Sequence, residues 1–389
     1  MRVEHIITRL IVGGAQENTL STVLGLHDIP GVEVQLVSGP TTGPEGTLEP
    51  QARAVEGLFH LEPHLVRPVS PWHDFRALFS LAQRFRKTRP DIVHTHSGKA
   101  GLVGRLAARM ARVPCVIHTI HGPSFGDFQG RGANFLFKNA ERLAGRFTHH
   151  FIVVANAMRD QYLRAGIGSP ELYSRVFSGF NLKPYLEARN DLNLRAKYGI
   201  RPEDVVIGKI ARLFYLKGHD DLFAVAPRLI ESEPRLKFLL VGDGILRGEF
   251  EEKLSSLGIR DHFVFTGLVP PSQIPALTGI MDSLIHLSRR EGLPRALPQA
   301  LAAGKPVVAF DCDGAREVCI SGETGFLIPP GDLGQLSSSL RALLKEGDLR
   351  CRLGSQGRDF VKERFSEEKM VSDIYRLYQN LLKPPARQI

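Results

Sequence analysis

The segment Glu291-Gly292-Leu293-Pro294-Arg295-Ala296-Leu297-Pro298-Gln299 sets an acidic side chain at the end of a loop and an amide eight positions later. Ala300-Leu301-Ala302-Ala303 carries a helical pattern onward, Gly304-Lys305-Pro306 stops it, and Val307-Val308-Ala309-Phe310 reads as a buried parallel strand. Glu291, just ahead of the helix, and Gln299, within it, could both reach a ligand at the helix N-terminus. Taken alone, the pattern equally describes an amphipathic helix with a polar lip.

Two cations stand in Gly208-Lys209-Ile210-Ala211-Arg212-Leu213-Phe214-Tyr215-Leu216-Lys217-Gly218. A buried strand ending at Ala211 delivers Arg212 and Lys217 at its carboxyl end, where open α/β sheets bind ligands. Arginine can hold phosphate oxygens in a bidentate grip and lysine adds a point charge. Such a pair suits a diphosphate.

Several turns could bring backbone to a ligand. Gly13-Gly14-Ala15-Gln16 follows the first strand and opens a helix, so its small residues allow a phosphate near the positive helix end. It is neither the dinucleotide Gly-x-Gly-x-x-Gly fingerprint nor a Walker A loop. Val241-Gly242-Asp243-Gly244 and Phe265-Thr266-Gly267-Leu268-Val269 each close a strand. Eleven of the 14 histidines precede residue 184, and His94-Thr95-His96 and His118-Thr119-Ile120-His121-Gly122 end strands. Clustered histidines suggest a metal, but no helical His-x3-His pair and no carboxylate companion accompanies them, so no metal is expected. Ser97-Gly98-Lys99, beside His96, could receive an anionic acceptor.

These residues need a scaffold. A chain of 389 residues suits two domains. A hydrophobic content of 43% and a charged content of 23% describe a globular protein, and no run approaches the ~18 apolar residues of a membrane span. Early charge in Met1-Arg2-Val3-Glu4-His5 argues against a secretory leader and for a first strand. Cys115, Cys312, Cys319 and Cys351 show no Cys-x-x-Cys spacing, so reduced thiols and a cytoplasmic setting are expected. Residues 1–183 carry 21 Lys+Arg against 14 Asp+Glu, a balance of +7 within the total of +9. Arg84, Arg86, Lys87 and Arg89 cluster, and Arg105, Arg109 and Arg112 recur at helical spacing. That face could attract an anionic membrane or be solvated surface; no nucleic-acid motif accompanies it.

Short apolar runs alternate with amphipathic segments in both halves, the pattern of parallel sheets covered by helices. Expected strands are 3–8, 32–37, 92–94, 115–119 and 151–154, then 205–211, 237–241, 264–266, 283–287 and 307–310. Expected helices include 16–26, 77–87 and 100–111, then 218–231, 246–257 and 272–278. A polar stretch at 178–184 reads as the hinge between domains 1–183 and 184–365. A final helix over 366–382 stops at Lys383-Pro384-Pro385.

The Glu291-to-Gln299 segment resembles the Glu-x7-Glu signature of retaining family-4 glycosyltransferases (glycosyl transferases group 1), with Gln299 in place of the second Glu. Arg212 and Lys217 are similar to that family's Arg-x4-Lys pair. The resemblance is strongest over 205–332 and fair over 1–20 and 90–125, while 40–75 match nothing. It implies the GT-B fold, two Rossmann-like domains facing each other across a cleft, with the 366–389 tail returning to the first. It implies a hexosyltransferase that moves a hexose or N-acetylhexosamine from a nucleotide diphosphate sugar, UDP-linked, to a hydroxyl of a glycan or glycolipid acceptor in cell-surface polysaccharide or glycolipid synthesis. By the same resemblance Arg212 and Lys217 stabilise the departing diphosphate, Glu291 holds sugar hydroxyls, His121 touches the sugar from the first domain and Gln299 faces the ribose. Gly13, Gly14, Gly242, Gly244, Val269, Gly292 and Leu293 would line the donor site, with His96 and Lys99 on the acceptor side. No cofactor or metal is implied. A GT-B nucleotide-sugar epimerase, or a catalytically silent nucleotide-sugar-binding protein, remains the alternative, the latter because Gln299 lacks the charge of the family's Glu.

Overall fold

The computed structural model describes residues 1–43, 46–126 and 128–383, so the Pro384-Pro385 stop lies outside the described residues. The chain divides into two compact units, Met1–Phe180 with the segment from Glu367 onward, and Asn181–Ser366. Sequence had set that division at 183/184. Both units are wholly parallel sheets among the described strands, each wrapped in helices.

In unit 1 the strands are β1 (Arg2–Ile7), β2 (Glu33–Ser38), β3 (Phe59–Leu61), β4 (Ile92–His96), β5 (Cys115–Ile120), β6 (His150–Val153) and β7 (Tyr173–Arg175), in the order β3-β2-β1-β4-β5-β6-β7. Connectivity reverses direction between β1 and β4, so the crevice at their carboxyl ends is a ready ligand site. Side chains alternate between sheet faces. Ile6, Val93 and Val116 pack under the helices Pro71–Thr88 and Gly98–Ala111. Val3, Ile7, Ile92 and Ile117 face the helices Gly14–His27 and Glu367–Leu382, whose Leu20, Val23, Met370 and Ile374 complete that core.

Unit 2 repeats the plan with β8 (Val205–Ile210), β9 (Leu236–Val241), β10 (Phe263–Gly267), β11 (Ser283–His286), β12 (Val307–Phe310) and β13 (Gly325–Ile328), in the order β10-β9-β8-β11-β12-β13. Its reversal lies between β8 and β11. The core gathers Ile207, Phe238, Leu240, Phe263, Ile285 and Val308 with Leu222, Phe223 and Leu340 from the helices.

The expected strands form with ends that agree to within two residues, and 307–310 is reproduced at both ends; strand termini depend on neighbouring strands as well as on local sequence. Three short edge strands, β3, β7 and β13, were not anticipated, and neither was the helix Arg131–Gly145. That helix takes Arg105 out of the expected basic face, while Arg109 and Arg112 stay exposed. Arg105 is fully buried, its Nη2 2.6 Å from Glu141 Oε2 on the unanticipated helix and its Nε donating to the Gly101 carbonyl. Of the other basic cluster, Arg84 is bound to Glu4 at 2.6 Å and to Gln35 at 2.5 Å.

Candidate functional site

Unit 2 assembles its site from the loops that follow β8, β11 and β12. Lys217, on the first, brings its Nζ to 2.5 Å from Glu291 Oε1 on the second, each side chain 21% exposed. His286, the last residue of β11, places Nε2 3.4 Å from the same oxygen. Burial works against ionisation of Glu291, but the His286 ring and the Lys217 ammonium outweigh it and hold the carboxyl well below its ordinary range. Glu291 therefore stays an anion throughout the physiological range.

Backbone locks these loops together. Gly218 has φ 65°, and a Cβ there would sit 2.1 Å from the Leu287 carbonyl oxygen, so the β8 and β11 loops meet at a point that admits glycine alone. The Arg289 amide donates to the Leu216 carbonyl at 2.9 Å, with Leu216 itself left-handed at φ 64°. The Glu291 amide donates to Asp313 Oδ2 at 2.7 Å, and the Gly314 amide to the Gly292 carbonyl at 3.0 Å. Asp313 is also left-handed, φ 49°. Non-glycine residues in this region cost energy, and such conformations concentrate at functional sites.

Arg212 is exposed on the β8 loop, its guanidinium 5.7 Å from the Phe214 ring centroid. The β9 turn abuts that loop: Gly242 has φ 132°, and a Cβ there would come within 2.3 Å of the Ala211 carbonyl oxygen. Gly244 follows in the same turn, and Val269 lies just past β10. Gln299 is half-buried on the helix Ala296–Ala302, with Leu293 buried ahead of it. Unit 2 thus brings Lys217 and Glu291 together at the carboxyl ends of its central strands, with Arg212 exposed on the loop that carries Lys217.

Sequence reasoning missed two residues here. Lys209, buried on β8, has its pKa lowered to about 7 by burial and then by Lys217. His286 is kept neutral mainly by burial. Both sit inside apolar strand runs, where only the odd polar letter could have betrayed them.

In unit 1, Gly13 and Gly14 form the turn that opens the helix Gly14–His27, and a Cβ on Gly13 would press on Gln16 Oε1 at 2.9 Å. The histidines occupy alternate positions on one sheet face, His5 on β1 opposite His94 on β4, then His96, and His121 just past β5. His96 Nδ1 is 3.0 Å from His121 Nε2, and His96 Nε2 is 2.9 Å from His5 Nδ1. His96, expected at an acceptor, is instead buried with both ring nitrogens engaged. Lys99 is held by Asp74 Oδ1 at 2.5 Å and by the Pro68 carbonyl, so an acceptor anion there would compete with a carboxylate already in place. His5, His94 and His96 bring ring nitrogens within 4.8 Å of one another, a spacing that could hold a metal ion. All six nitrogens have hydrogen-bond partners in the structure.

Two parallel sheets of this strand order, one bearing cations and a carboxylate at its reversal point, define a nucleotide-binding class of α/β protein. The model for glycosyl transferases group 1 matches residues 190–360, and that for the glycosyl transferase 4-like domain matches 13–173. EpsD of Bacillus subtilis (strain 168), provisionally named a glycosyltransferase, is 30% identical, with 75% of this chain and 77% of EpsD covered. The UDP-Gal:alpha-D-GlcNAc-diphosphoundecaprenol alpha-1,3-galactosyltransferase of Escherichia coli is 28% identical, covering 82% of this chain and 83% of its own. HepE of Anabaena in complex with UDP has the same fold, with a TM-score of 0.82 over 98% of this chain and 100% of its own at 22% identity. The chain belongs to the glycosyl transferases group 1 and is a family-4 glycosyltransferase of GT-B fold.

Proposed function

We propose that this glycosyltransferase moves a hexose or N-acetylhexosamine from a UDP-sugar, with retention at the anomeric carbon, to a hydroxyl of a glycan or lipid-linked acceptor in cell-surface polysaccharide or glycolipid synthesis. The observation that carries the reading is the Lys217–Glu291 pair at 2.5 Å, with Arg212 exposed on the Lys217 loop. A donor diphosphate would draw the Lys217 ammonium from Glu291, add the Arg212 fork, and leave the carboxylate to accept from sugar hydroxyls. His121 would contact the sugar from unit 1, and Gln299 the ribose.

In the step itself the bond from the anomeric carbon to the β-phosphate oxygen breaks and the acceptor oxygen bonds to that carbon on the same face. The acceptor proton passes to the departing phosphate. Charge grows on the diphosphate, so fixed cations there give the largest share of rate enhancement. They serve the role a divalent ion would otherwise fill, and we read the reaction as metal-independent. The UDP preference draws support from the galactosyltransferase of E. coli and from HepE, whose names carry UDP-Gal and UDP. Incubation with labelled nucleotide sugars and lipid-extract acceptors, with and without EDTA, tests this: transfer from a UDP-sugar surviving EDTA is expected. Donor turnover without an acceptor would instead mark an epimerase.

Among the described residues no helix is long and apolar enough to cross a membrane. Peripheral contact with anionic lipid is proposed through different residues than the sequence suggested. Trp72, Phe75 and Phe79 are exposed along the helix Pro71–Thr88, with Arg76 4.6 Å over the Trp72 ring. Phe135 and Leu136 are exposed on the helix Arg131–Gly145, beside Arg131 and Arg142. Aromatic side chains flanked by cations suit an anionic interface.

A further inference from the structure

Lys209 occupies a strand interior, where an apolar residue is the rule. It stands opposite Leu240 on β9 and is 2% exposed, on the sheet face it shares with Ile207. Titratable groups of unit 2 reach it from three directions. Lys217 lies on the loop after β8, His219 and Asp221 on the helix His219–Ser232, and His286 and Glu291 on β11 and its loop. Arg290 and Asp313 act on Glu291 in turn. The two carboxylates that act on Lys209 are already bonded elsewhere, Glu291 to Lys217 at 2.5 Å and Asp221 to Arg289 at 2.8 and 3.0 Å. Among the described residues, no carboxylate is ion-paired with Lys209.

A buried ammonium without a bonded anion is costly. Burial first, and the Lys217 charge second, bring the Lys209 pKa down to about 7, so above that pH its amine is mostly neutral. A bound diphosphate changes the field around it. The phosphates bring negative charge to the cluster and neutralise the Lys217 ammonium. Drawing Lys217 from Glu291 also leaves that carboxylate without its bonded cation. Each of these changes favours the ammonium form of Lys209. The neighbouring imidazoles are poorer proton acceptors: burial lowers both, and His219 falls to about 3.

We propose that Lys209 is a positioning residue of the donor site that takes up a proton when a nucleoside diphosphate binds, and then serves Glu291 as counter-cation in place of Lys217. This rests on the reading that Arg212 and Lys217 hold the donor diphosphate. One proton passes from solvent to the Lys209 nitrogen, and no bond of the donor breaks in that step. Glu291 thereby keeps a neighbouring cation while its carboxylate accepts from sugar hydroxyls. Because the bound state holds one proton more, donor affinity falls as pH rises through the range in which unliganded Lys209 is neutral.

Isothermal titration of UDP into the full chain, run in Tris and in HEPES, gives the number of protons exchanged from the difference in heat. The terminal phosphate of UDP titrates at about 6, so at about pH 8 the nucleotide is fully ionised and takes up none itself. Roughly one proton per bound UDP is expected in the wild type, with Kd rising towards ~10-fold per pH unit above neutrality. Lys209→Met keeps the length of the side chain without the amine, and exchanging a buried unpaired cation for an apolar group leaves the fold in place. In that variant the uptake should vanish and Kd should become nearly independent of pH. Wild-type binding of UDP without proton uptake overturns the proposal while leaving the donor reading standing, and this measurement needs no variant. Uptake that persists in folded Lys209→Met overturns the proposal in the same way. A wild type that binds neither UDP nor GDP nor ADP overturns the donor reading and the proposal together.

Discussion

Unit 2 sets charge at the carboxyl ends of its central strands: Lys217 against Glu291, with Arg212 exposed nearby. Unit 1 sets neutral rings at the equivalent point of an equivalent sheet, His5, His94 and His96 buried and linked to one another. Strand order is shared, so the fold does not dictate the difference. A site that must oppose developing negative charge needs ions that remain partly solvated, because full burial costs an ion more than pairing returns. Neutral rings can be fully buried where hydrogen bonds satisfy their nitrogens. The two units thus gather different polar groups at that point, charged side chains in unit 2 and hydrogen-bonded neutral imidazoles in unit 1.

The buried charge that unit 1 does contain is structural. Arg105 and Glu141 lie 2.6 Å apart with side chains 0% and 4% exposed. Arg105→Ala leaves an uncompensated buried carboxylate and should lower stability by about 3–5 kcal/mol, seen as a large drop in Tm. Replacing both partners by apolar residues, as in Arg105→Met with Glu141→Leu, should recover most of that loss. If Arg105→Ala melts like the wild type, the pair is not the buried link between helices described here, and the contrast with unit 2 weakens.

Lys217→Ala and Arg212→Ala invert that pattern. Tm should move little, since both residues are at least partly exposed, while kcat falls by ~10²-fold, the scale of losing one donor aimed at transition-state charge. Near-wild-type turnover by either folded protein would remove that cation from the diphosphate, and charge in unit 2 would then be as structural as it is in unit 1.

The two sites differed in how far sequence could anticipate them. Arg212, Lys217 and Glu291 lie in loops that follow apolar strand runs, the places where open α/β sheets carry ligand-binding residues, so position and spacing exposed them. Lys209 and His286 sit within strands and become visible only when the sheet shows what lies beside their tips. The histidine chain joins His5 to Tyr378 across 373 positions, a pairing no local period encodes. Arg105 was misread for a related reason. Its helical spacing was right, but its neighbour Glu141 lies on a helix that buries that carboxylate and leaves Phe135 and Leu136 exposed, the reverse of the usual amphipathic sense. Alternation and helical period give the faces of elements; which face meets which partner is a tertiary fact.

The smallest effect is expected at Gln299, where unit 2 departs from its family's signature. If its amide faces the ribose, its oxygen can accept from one hydroxyl, whereas a carboxylate accepts from both. A charge-assisted hydrogen bond is roughly twice as strong as a neutral one, so Gln299→Glu should tighten UDP binding by about 1 kcal/mol. A new anion also repels the diphosphate, but Arg212 and Lys217 offset that repulsion if they hold the phosphates. Gln299→Ala should weaken UDP by a similar amount with Tm preserved, because the side chain is only half-buried. Isothermal titration of UDP against the three proteins separates the cases. Weaker binding by the Glu variant would mean that the added charge is not neutralised and that the two cations lie farther from the diphosphate than proposed. An Ala variant that binds as well as the wild type would place Gln299 away from the ribose, leaving recognition in unit 2 to charge alone and making its contrast with the neutral chain of unit 1 sharper still.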